Sequence, residues 1–181
     1  MLHGFNTDGR AFQNLKGLSV QFRLIAYNFP EECAFYKGKL TDFVTILDDF
    51  HQSLRLQSVC LAGNSVGGAI ALCYAGMSKK VAVKRLLLVS SEIFGGTQED
   101  RIRNEAMANR LLKYPDYKLY YLLERSRALI RGLERAGYGE DAPGEILVIR
   151  RIGWYRQILS SLRDYDGTMV AAGISCPVIA L

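Results

Sequence analysis

Ser65 is the residue best placed to do chemistry, because it lies in the sequence "GNSVG". The pattern G-x-S-x-G is typical of a nucleophilic serine when it follows a buried strand and opens a helix, since the sharp turn raises the hydroxyl above the sheet. The apolar run "SVCLAG" precedes this serine and a helical pattern follows it. Glycines there let the backbone turn and pack closely where a Cβ would clash. We predict that Ser65 is a nucleophile, and the alternative is a tight turn that happens to hold a serine. The supporting positions of this turn are Gly63, Asn64, Gly67 and Gly68.

The sequence "LHGF" near the start of the chain could supply the electrostatic part of such a reaction. A serine that cleaves an ester needs two backbone N–H donors at the developing oxyanion, and losing one donor costs about 3 to 4 kcal/mol of barrier. The amide of Val66 is one candidate donor, and the amide of Phe5, in the turn formed with His3 and Gly4, is the other. His3 itself is predicted to brace this loop rather than to move protons.

A base that could activate Ser65 is not evident. The chain has two histidines, His3 and His51, and both precede the serine. His51 falls on the polar side of an amphipathic helical pattern and is predicted to be a surface residue. Glu92, just after the run "RLLLVSS", is a possible catalytic acid, and a solvated loop carboxylate is the alternative interpretation. The sequence therefore predicts that the base lies outside these 181 residues.

Composition narrows the class of protein. Of the 181 residues, 49% are apolar, which is enough for one globular domain with a core. No run of the sequence approaches the roughly 18 apolar residues that are needed to span a bilayer. The first residues also lack the basic and the apolar regions of a signal peptide. We therefore expect a cytoplasmic protein without membrane contact. The net charge of +5 is modest, and arginines flanked by acids predict solvated helix faces rather than a nucleic-acid site.

The cysteines do not predict a metal centre. They are far apart, with no C-x-x-C pair and no histidine at a suitable spacing, so reduced and mostly buried thiols are expected. No cofactor is expected. The expected partner is a small apolar or acyl substrate, and the oligomeric state stays open. The cysteines are Cys33, Cys60, Cys73 and Cys176.

Strands and helices alternate in the first half of the chain. The runs "FRLIAYNF", "SVCLAG" and "RLLLVSS" are apolar almost throughout, as expected for parallel strands that helices cover on both faces. A helix is predicted to begin near Asp8, an amphipathic helix to run from about Leu40 to Leu54, and another from about Val66 to Met77. These elements predict an α/β fold with a mostly parallel sheet.

The pattern changes after Gly96. A capping-box pattern beginning at Thr97 opens a long helical region, which Tyr114-Pro115 is predicted to break once and "GYGEDAPGE" to break again. Helical spacing resumes from Ile146 towards Leu162, and "CPVIAL" predicts a last strand. We therefore divide the chain into a core part (1–96), a helical insertion (97–165) and a return to the core (166–181).

The order of these segments resembles the α/β-hydrolase superfamily with a helical cap. The resemblance covers essentially the whole chain, and its most specific motifs are "LHGF" and "LAGNSVGG". It implies a three-layer α/β/α fold, Ser65 as nucleophile, and the amides of Phe5 and Val66 as the oxyanion hole. It also implies that the region from about Gln98 to Arg163 is a cap over an apolar pocket.

The sequence departs from the family pattern at two places. The segment "NFPEE" at positions 28–32 stands where many members carry D-x-P-G-x-G. In the family, the acid and the histidine follow the serine, typically beyond the strand that matches "CPVIAL" and one further strand. The chain starts at the end of a predicted core strand and ends inside another. It is therefore interpreted as truncated at both ends, with its acid and histidine beyond Leu181.

The sequence favours a hydrolase of carboxylic esters or related acyl compounds that works through an acyl-enzyme, and it predicts that this chain by itself is inactive. One alternative is a carbon–carbon bond hydrolase of the ring-cleavage type, whose substrate carboxylate would need a cation from the cap such as Arg101, Arg103 or Arg110. The other alternative is a non-catalytic binder of small ligands on the same fold.

Overall fold

A computed structural model describes residues 1–4, 7–30, 39–91, 98–135, 152–163 and 165–181, with side chains for all of these except 98, 100, 101, 104 and 126–135. Its centre is a parallel sheet in which the strands lie in the order β1 (Ser58–Asn64), β2 (Ala82–Val89) and β3 (Val178–Ala180). The three strands coincide with three of the predicted apolar runs, so the predicted parallel sheet is confirmed.

The start of the chain extends this sheet beyond β1. Leu2 forms parallel bridges to Gly63 on one side and to Tyr27 on the other. The Leu2 amide donates to the carbonyl of Ala62 at 2.8 Å, and the Tyr27 amide donates to the carbonyl of Met1 at 3.0 Å. In the described chain the predicted strand "FRLIAYNF" therefore forms a parallel bridge at Tyr27, and its Ile25 carbonyl accepts from the Met1 amine at 2.7 Å.

Two helices cover one face of the sheet. α1 (Asp42–Ser53) and α2 (Val66–Met77) pack against each other, and α2 also packs on β1 and β2. The predicted bounds of α2 are confirmed, and those of α1 hold to within two residues. Every residue of α2 from Val66 to Tyr74 is buried, since small side chains let this helix lie close to the strands.

The opposite face of the sheet is largely accessible in the described part of the chain. A 3₁₀ helix spans Gly9–Val20, with the Asp8 side chain accepting from the amide of Arg10 as its N-cap, and none of its residues is buried. The predicted helix start is correct, although the helix type is 3₁₀. Cys60, in the middle of β1, is exposed. Among the described residues, the predicted helical cover of this face is therefore incomplete.

The second half of the chain is helical where it is described. The helices there are α3 (Gln98–Leu112), α4 (Asp116–Arg135), α5 (Ile152–Arg163) and the short α6 (Gly167–Ala171). The predicted break at Tyr114-Pro115 is confirmed, whereas the predicted break in "GYGEDAPGE" and the positions Ile146 and Ile149 lie outside the described residues.

Arg156 of α5 ties together the chain on both sides of the break between α3 and α4. Its guanidinium donates to the carboxylate of Asp116 at 2.8 Å and to the carbonyls of Leu112 at 2.8 Å and Tyr114 at 2.5 Å. Other side chains of α5 are buried in the main core, among them Trp154. The helical insertion is therefore anchored to the sheet domain, while its function as a cap stays a prediction.

Candidate active site

Ser65 lies in the turn between β1 and α2. Its backbone has φ 50° and ψ −121°, and a positive φ is a strained conformation for a residue with a side chain. Its amide donates to the carbonyl of Val89 at 3.0 Å, and its carbonyl accepts from the amide of Gly68 at 2.8 Å. Ser65 is exposed, so its side chain is accessible at the end of the strand. The predicted strand-to-helix turn with an unusual backbone is confirmed.

The glycines of the motif are required by close backbone packing. A Cβ on Gly63 would overlap the carbonyl oxygen of Gly67, and a Cβ on Gly67 would overlap that of Leu2. A Cβ on Gly68 would overlap the Ser91 hydroxyl. The turn therefore tolerates no side chain at these three positions unless the neighbouring backbone or Ser91 moves.

Of the two predicted oxyanion-hole donors, the Val66 amide belongs to the described residues. Val66 is the first residue of α2, so its amide has no partner within the helix, and no hydrogen bond to it is found in the described chain. The turn at Gly4 lies beside the serine, because a Cβ built on Gly4 would be 3.6 Å from the Ser65 Cβ. Phe5 lies outside the described residues, and the role of its amide stays a prediction.

Asn64, the other residue named in the motif, anchors the turn to β2. Its side-chain amide donates to the carbonyl of Val89 at 3.3 Å. The Ser65 amide binds the same carbonyl, so one acceptor at the end of β2 holds both residues.

His3 braces the loop that approaches Ser65. The ring is fully buried, and its Nε2 accepts from the amide of Phe29 at 3.3 Å. Nε2 is therefore unprotonated, and Nδ1 donates to the carbonyl of Gly4 at 2.8 Å. The prediction that His3 braces this loop is confirmed, since both ring nitrogens hold the backbone on either side of it.

His51 is not a surface residue, so that prediction was wrong. Only 6% of the residue is exposed, and its Nδ1 lies 2.9 Å from the hydroxyl of Tyr74. The helical pattern places His51 at the edge of the polar face of α1, but α2 packs over that edge. Burial lowers the pKa of His51, the terminal amine of Met1 lowers it further, and the nearby Asp48 carboxylate opposes these effects.

His51 belongs to a buried chain of hydrogen bonds between α1 and α2. The Tyr74 hydroxyl lies 2.8 Å from Asp48 and the Ser78 hydroxyl lies 2.7 Å from the same carboxylate oxygen. An ionised carboxylate only accepts, so Tyr74 donates to Asp48 and accepts from His51. Sequence reasoning missed this network. Its signal was the three-residue spacing of Asp48 and His51 on one helix and the four-residue spacing of Tyr74 and Ser78 on the next.

Among the described residues, no hydrogen bond joins either histidine to Ser65: the His3 ring nitrogens bond to the backbone of Gly4 and Phe29, and His51 Nδ1 bonds to the Tyr74 hydroxyl. Glu92, the possible acid, lies outside the described residues. Arg103 and Arg110 are exposed, and Arg110 donates to the Tyr114 hydroxyl at 3.0 Å. The side chain of Arg101 is not described. No contact of Arg103 or Arg110 with Ser65 is found.

The thiols differ in exposure. Cys73 is buried, and burial raises the pKa of its thiol to about 11. Cys176 is half-buried and Cys60 is exposed, so the expectation of mostly buried thiols was wrong for Cys60. Cys33 lies outside the described residues.

The described residues contain no group of three or more His, Cys, Asp or Glu side chains arranged to hold a metal ion. Among the helices of the same residues, none is long and apolar enough to cross a bilayer.

Comparisons with known proteins identify the fold. No family model matches the chain. A protein of Mycoplasma pneumoniae named "Putative esterase/lipase 2" is 32% identical to this chain over 96 residues. The match covers 49% of this chain and 35% of that protein, so the chain spans about a third of the curated relative it matches.

Solved structures match nearly the whole chain. An esterase from Exiguobacterium antarcticum superposes with a TM-score of 0.73 at 18% identity, over 99% of this chain and 70% of its own. The enol-lactonase from Burkholderia xenovorans LB400 superposes with a TM-score of 0.72 at 15% identity, over 99% and 69%. This chain therefore has the α/β-hydrolase fold.

Proposed function

We propose that Ser65 is the nucleophile of a hydrolase that acts on carboxylic esters or related acyl compounds. The observation that carries this proposal is the Ser65 turn, in which an accessible serine adopts a strained positive φ at the end of a strand and at the start of a buried helix. Strain of this kind persists where the surrounding structure enforces it, and it is common at active sites. The esterase among the matched structures supports the same chemistry.

In the proposed reaction, the Ser65 hydroxyl oxygen attacks the carbonyl carbon of the ester. The Val66 amide, at the positive end of the α2 dipole, stabilises the negative charge that develops on the carbonyl oxygen. The alcohol leaves with the serine proton, and an acyl group remains on Ser65. Water then adds to this acyl group, releasing a carboxylic acid and restoring the serine. The second donor is the amide of Phe5.

The reaction needs a general base to take the serine proton, and we propose that the base comes from outside the 181 residues. The hydrogen bonds of His3 and His51 support this, because each ring is held in a structural role. Removing the base from a serine triad costs on the order of a million-fold in turnover. With a common turnover number of roughly 10 per second as reference, the chain alone should reach about 10⁻⁵ per second.

Chemical rescue tests both parts of the proposal. The assay follows p-nitrophenyl acetate hydrolysis by the 181-residue chain without and with added imidazole, which acts as an external base. Imidazole should raise the Ser65-dependent rate by about tenfold or more, with acetylation of Ser65 detectable by mass spectrometry. The rate of the Ser65→Ala variant is subtracted, because imidazole also attacks this ester directly.

Ser90→Ala is the matched control. Ser90 is another exposed serine at the end of a strand with a positive φ of 46°, so it shares the exposure and the positive φ of Ser65 without the glycine turn. The control should keep the full rescue. Rescue that is equal in wild type and Ser65→Ala would contradict a nucleophilic role and favour a binding protein. Ser65-dependent turnover near 1 per second without imidazole would contradict the missing base.

A further inference from the structure

The side chain of Asn64 lies between the end of β2 and the turn at Gly4. Its amide nitrogen is 3.3 Å from the carbonyl oxygen of Val89. A carbonyl oxygen only accepts, so the atom that faces Val89 is the N–H donor of the side chain. The amide oxygen of Asn64 therefore points away from Val89, and it lies 2.9 Å from the position that a Cβ would take on Gly4. Asn64 thus connects the end of β2 with the turn at Gly4.

The Val89 carbonyl is a shared acceptor for the residues around the nucleophile turn. Besides the Asn64 side chain, it accepts from the Ser65 amide at 3.0 Å and from the Ser91 hydroxyl at 3.0 Å. The carbonyl itself is fixed by the sheet, because β2 pairs with β1 as far as Val89. Asn64 is therefore held by the same atom that holds the Ser65 backbone.

The side-chain oxygen of Asn64 explains why position 4 is a glycine. Carbon and oxygen atoms in contact are roughly 3.3 Å apart or more, so a Cβ on Gly4 would be too close to this oxygen. The next nearest atoms, the Ser65 Cβ at 3.6 Å and the Asn64 backbone oxygen at 3.7 Å, would be ordinary contacts. The Asn64 amide can make room only by turning, and turning it breaks the hydrogen bond to Val89. Asn64 is therefore the spacer that a side chain at position 4 would displace.

His3 holds the same turn through a different atom. The Gly4 carbonyl accepts from Nδ1 of the buried His3 ring at 2.8 Å. His3 thus fixes the carbonyl of Gly4, while Asn64 occupies the space beside its Cα. Together these contacts restrict movement of the Gly4 turn towards or away from Ser65.

We propose that Asn64 is a positioning residue, which sets the separation between the Gly4 turn and Ser65 and so shapes the site where the oxyanion forms. This inference rests on the proposed function of Ser65. Asn64 transfers no proton and contacts no reacting atom in this role. Oxyanion donors act only at hydrogen-bonding distance from the oxygen that becomes charged, so a displaced turn should slow acyl transfer rather than weaken binding of the ester.

Imidazole-rescued hydrolysis of p-nitrophenyl acetate measures this positioning, with the rate of the matching Ser65→Ala variant subtracted. Asn64→Ala removes the spacer and its anchor, so it should lower kcat by about tenfold or more while KM changes by less than about twofold. Asn14→Ala is the matched control. Asn14 is an exposed asparagine of the 3₁₀ helix, so its replacement should leave the full rescue.

A double substitution tests the contact between Asn64 and Gly4. Gly4→Ala alone should lower the rescued kcat by about tenfold, because the new methyl group meets the Asn64 oxygen. In the Asn64→Ala background the same methyl group has room and fills the space that the oxygen leaves. The double variant should therefore be about threefold faster than Gly4→Ala or more, whereas independent effects would multiply and make it slower than either single variant.

Urea denaturation tests the same contact without catalysis. Gly4→Ala should raise the equilibrium constant for unfolding by about tenfold in the wild-type background and by less than about twofold in the Asn64→Ala background. Equal increases in the two backgrounds would overturn the contact and the proposal with it.

The kinetic results separate this inference from the proposed function. An unchanged rescued kcat in Asn64→Ala, or a KM that rises as much as kcat falls, would overturn the positioning role while Ser65 remained the nucleophile. Absence of Ser65-dependent rescue in the wild type would overturn the proposed function, and the positioning role with it, even if the unfolding measurements upheld the contact.

Discussion

Replacing Tyr74 by phenylalanine removes one oxygen atom from the interface between α1 and α2. The hydroxyl donates to Asp48 at 2.8 Å and accepts from His51 at 2.9 Å, and Tyr74 is completely buried. Burial and the Asp48 carboxylate raise the pKa of Tyr74, so the hydroxyl stays protonated and keeps donating. Because α2 begins at the Ser65 turn, this interface also holds the helix behind the candidate nucleophile.

The size of the effect follows from the two bonds that are lost. A hydrogen bond to a charged group contributes about 1.5 to 3 kcal/mol and a neutral one about 0.5 to 1.5 kcal/mol. Asp48 keeps the hydrogen bond from Ser78 at 2.7 Å, so losing the bond from Tyr74 costs less than it would for a carboxylate with a single donor. The Nδ1–H of His51, by contrast, loses its acceptor. We expect Tyr74→Phe to lower the free energy of unfolding by about 2 to 4 kcal/mol.

Urea denaturation followed by far-UV circular dichroism measures this loss. Tyr165→Phe is the matched control, because it also removes a buried hydroxyl. The Tyr165 hydroxyl has no N or O hydrogen-bond partner, and the polar group beside it is the Cys73 thiol, which forms only weak hydrogen bonds. The control should change the free energy of unfolding by less than about 0.5 kcal/mol. Equal losses in the two variants, with unchanged denaturant slopes, would refute the network.

Two further predictions concern the glycines and the pH dependence of stability. Gly67→Ala should lower the free energy of unfolding, measured by urea denaturation, by about 3 kcal/mol or more, because the new Cβ would overlap the Leu2 carbonyl. Gly153→Ala in α5 is the control. A Cβ there would meet nothing within 4 Å, so this variant should raise the free energy of unfolding by about 0.5 kcal/mol. Similar effects at both positions would contradict the close packing of the turn. Burial lowers the pKa of the Met1 amine from 8.0 to about 6 in the folded chain. Between pH 6 and pH 8 the unfolded chain therefore binds more protons than the folded chain does. The free energy of unfolding should rise by about 2 to 3 kcal/mol as the pH is raised through this range. Acetylating the amine should abolish this rise, and a rise that survives acetylation would show another origin.

The local signals in the sequence predicted the elements that form the candidate site. The apolar run before Ser65 and the small residues after it gave the strand, the turn and the bounds of α2, because strand length, helical spacing and glycine's freedom act over a few residues. Asp8 marked the start of the first helix, and Tyr114-Pro115 marked the break between α3 and α4, for the same reason. The motifs "LHGF" and "LAGNSVGG" then pointed to the α/β-hydrolase fold that the solved structures share.

Only the tertiary structure decided what lies against these elements. Helical spacing shows only which residues share a face of a single helix, and on that basis His51 was predicted to be a surface residue. Its burial depends on the contact with Tyr74, which is 23 residues away on another helix. The apolar strands predicted cover on both faces, but whether a face is covered depends on which segments pack there, and the 3₁₀ helix that follows Asp8 buries none of its side chains. The pairing of Leu2 with both Tyr27 and Gly63 is likewise invisible in the sequence, because partners 25 and 61 residues away are chosen by long-range strand pairing rather than by any local pattern.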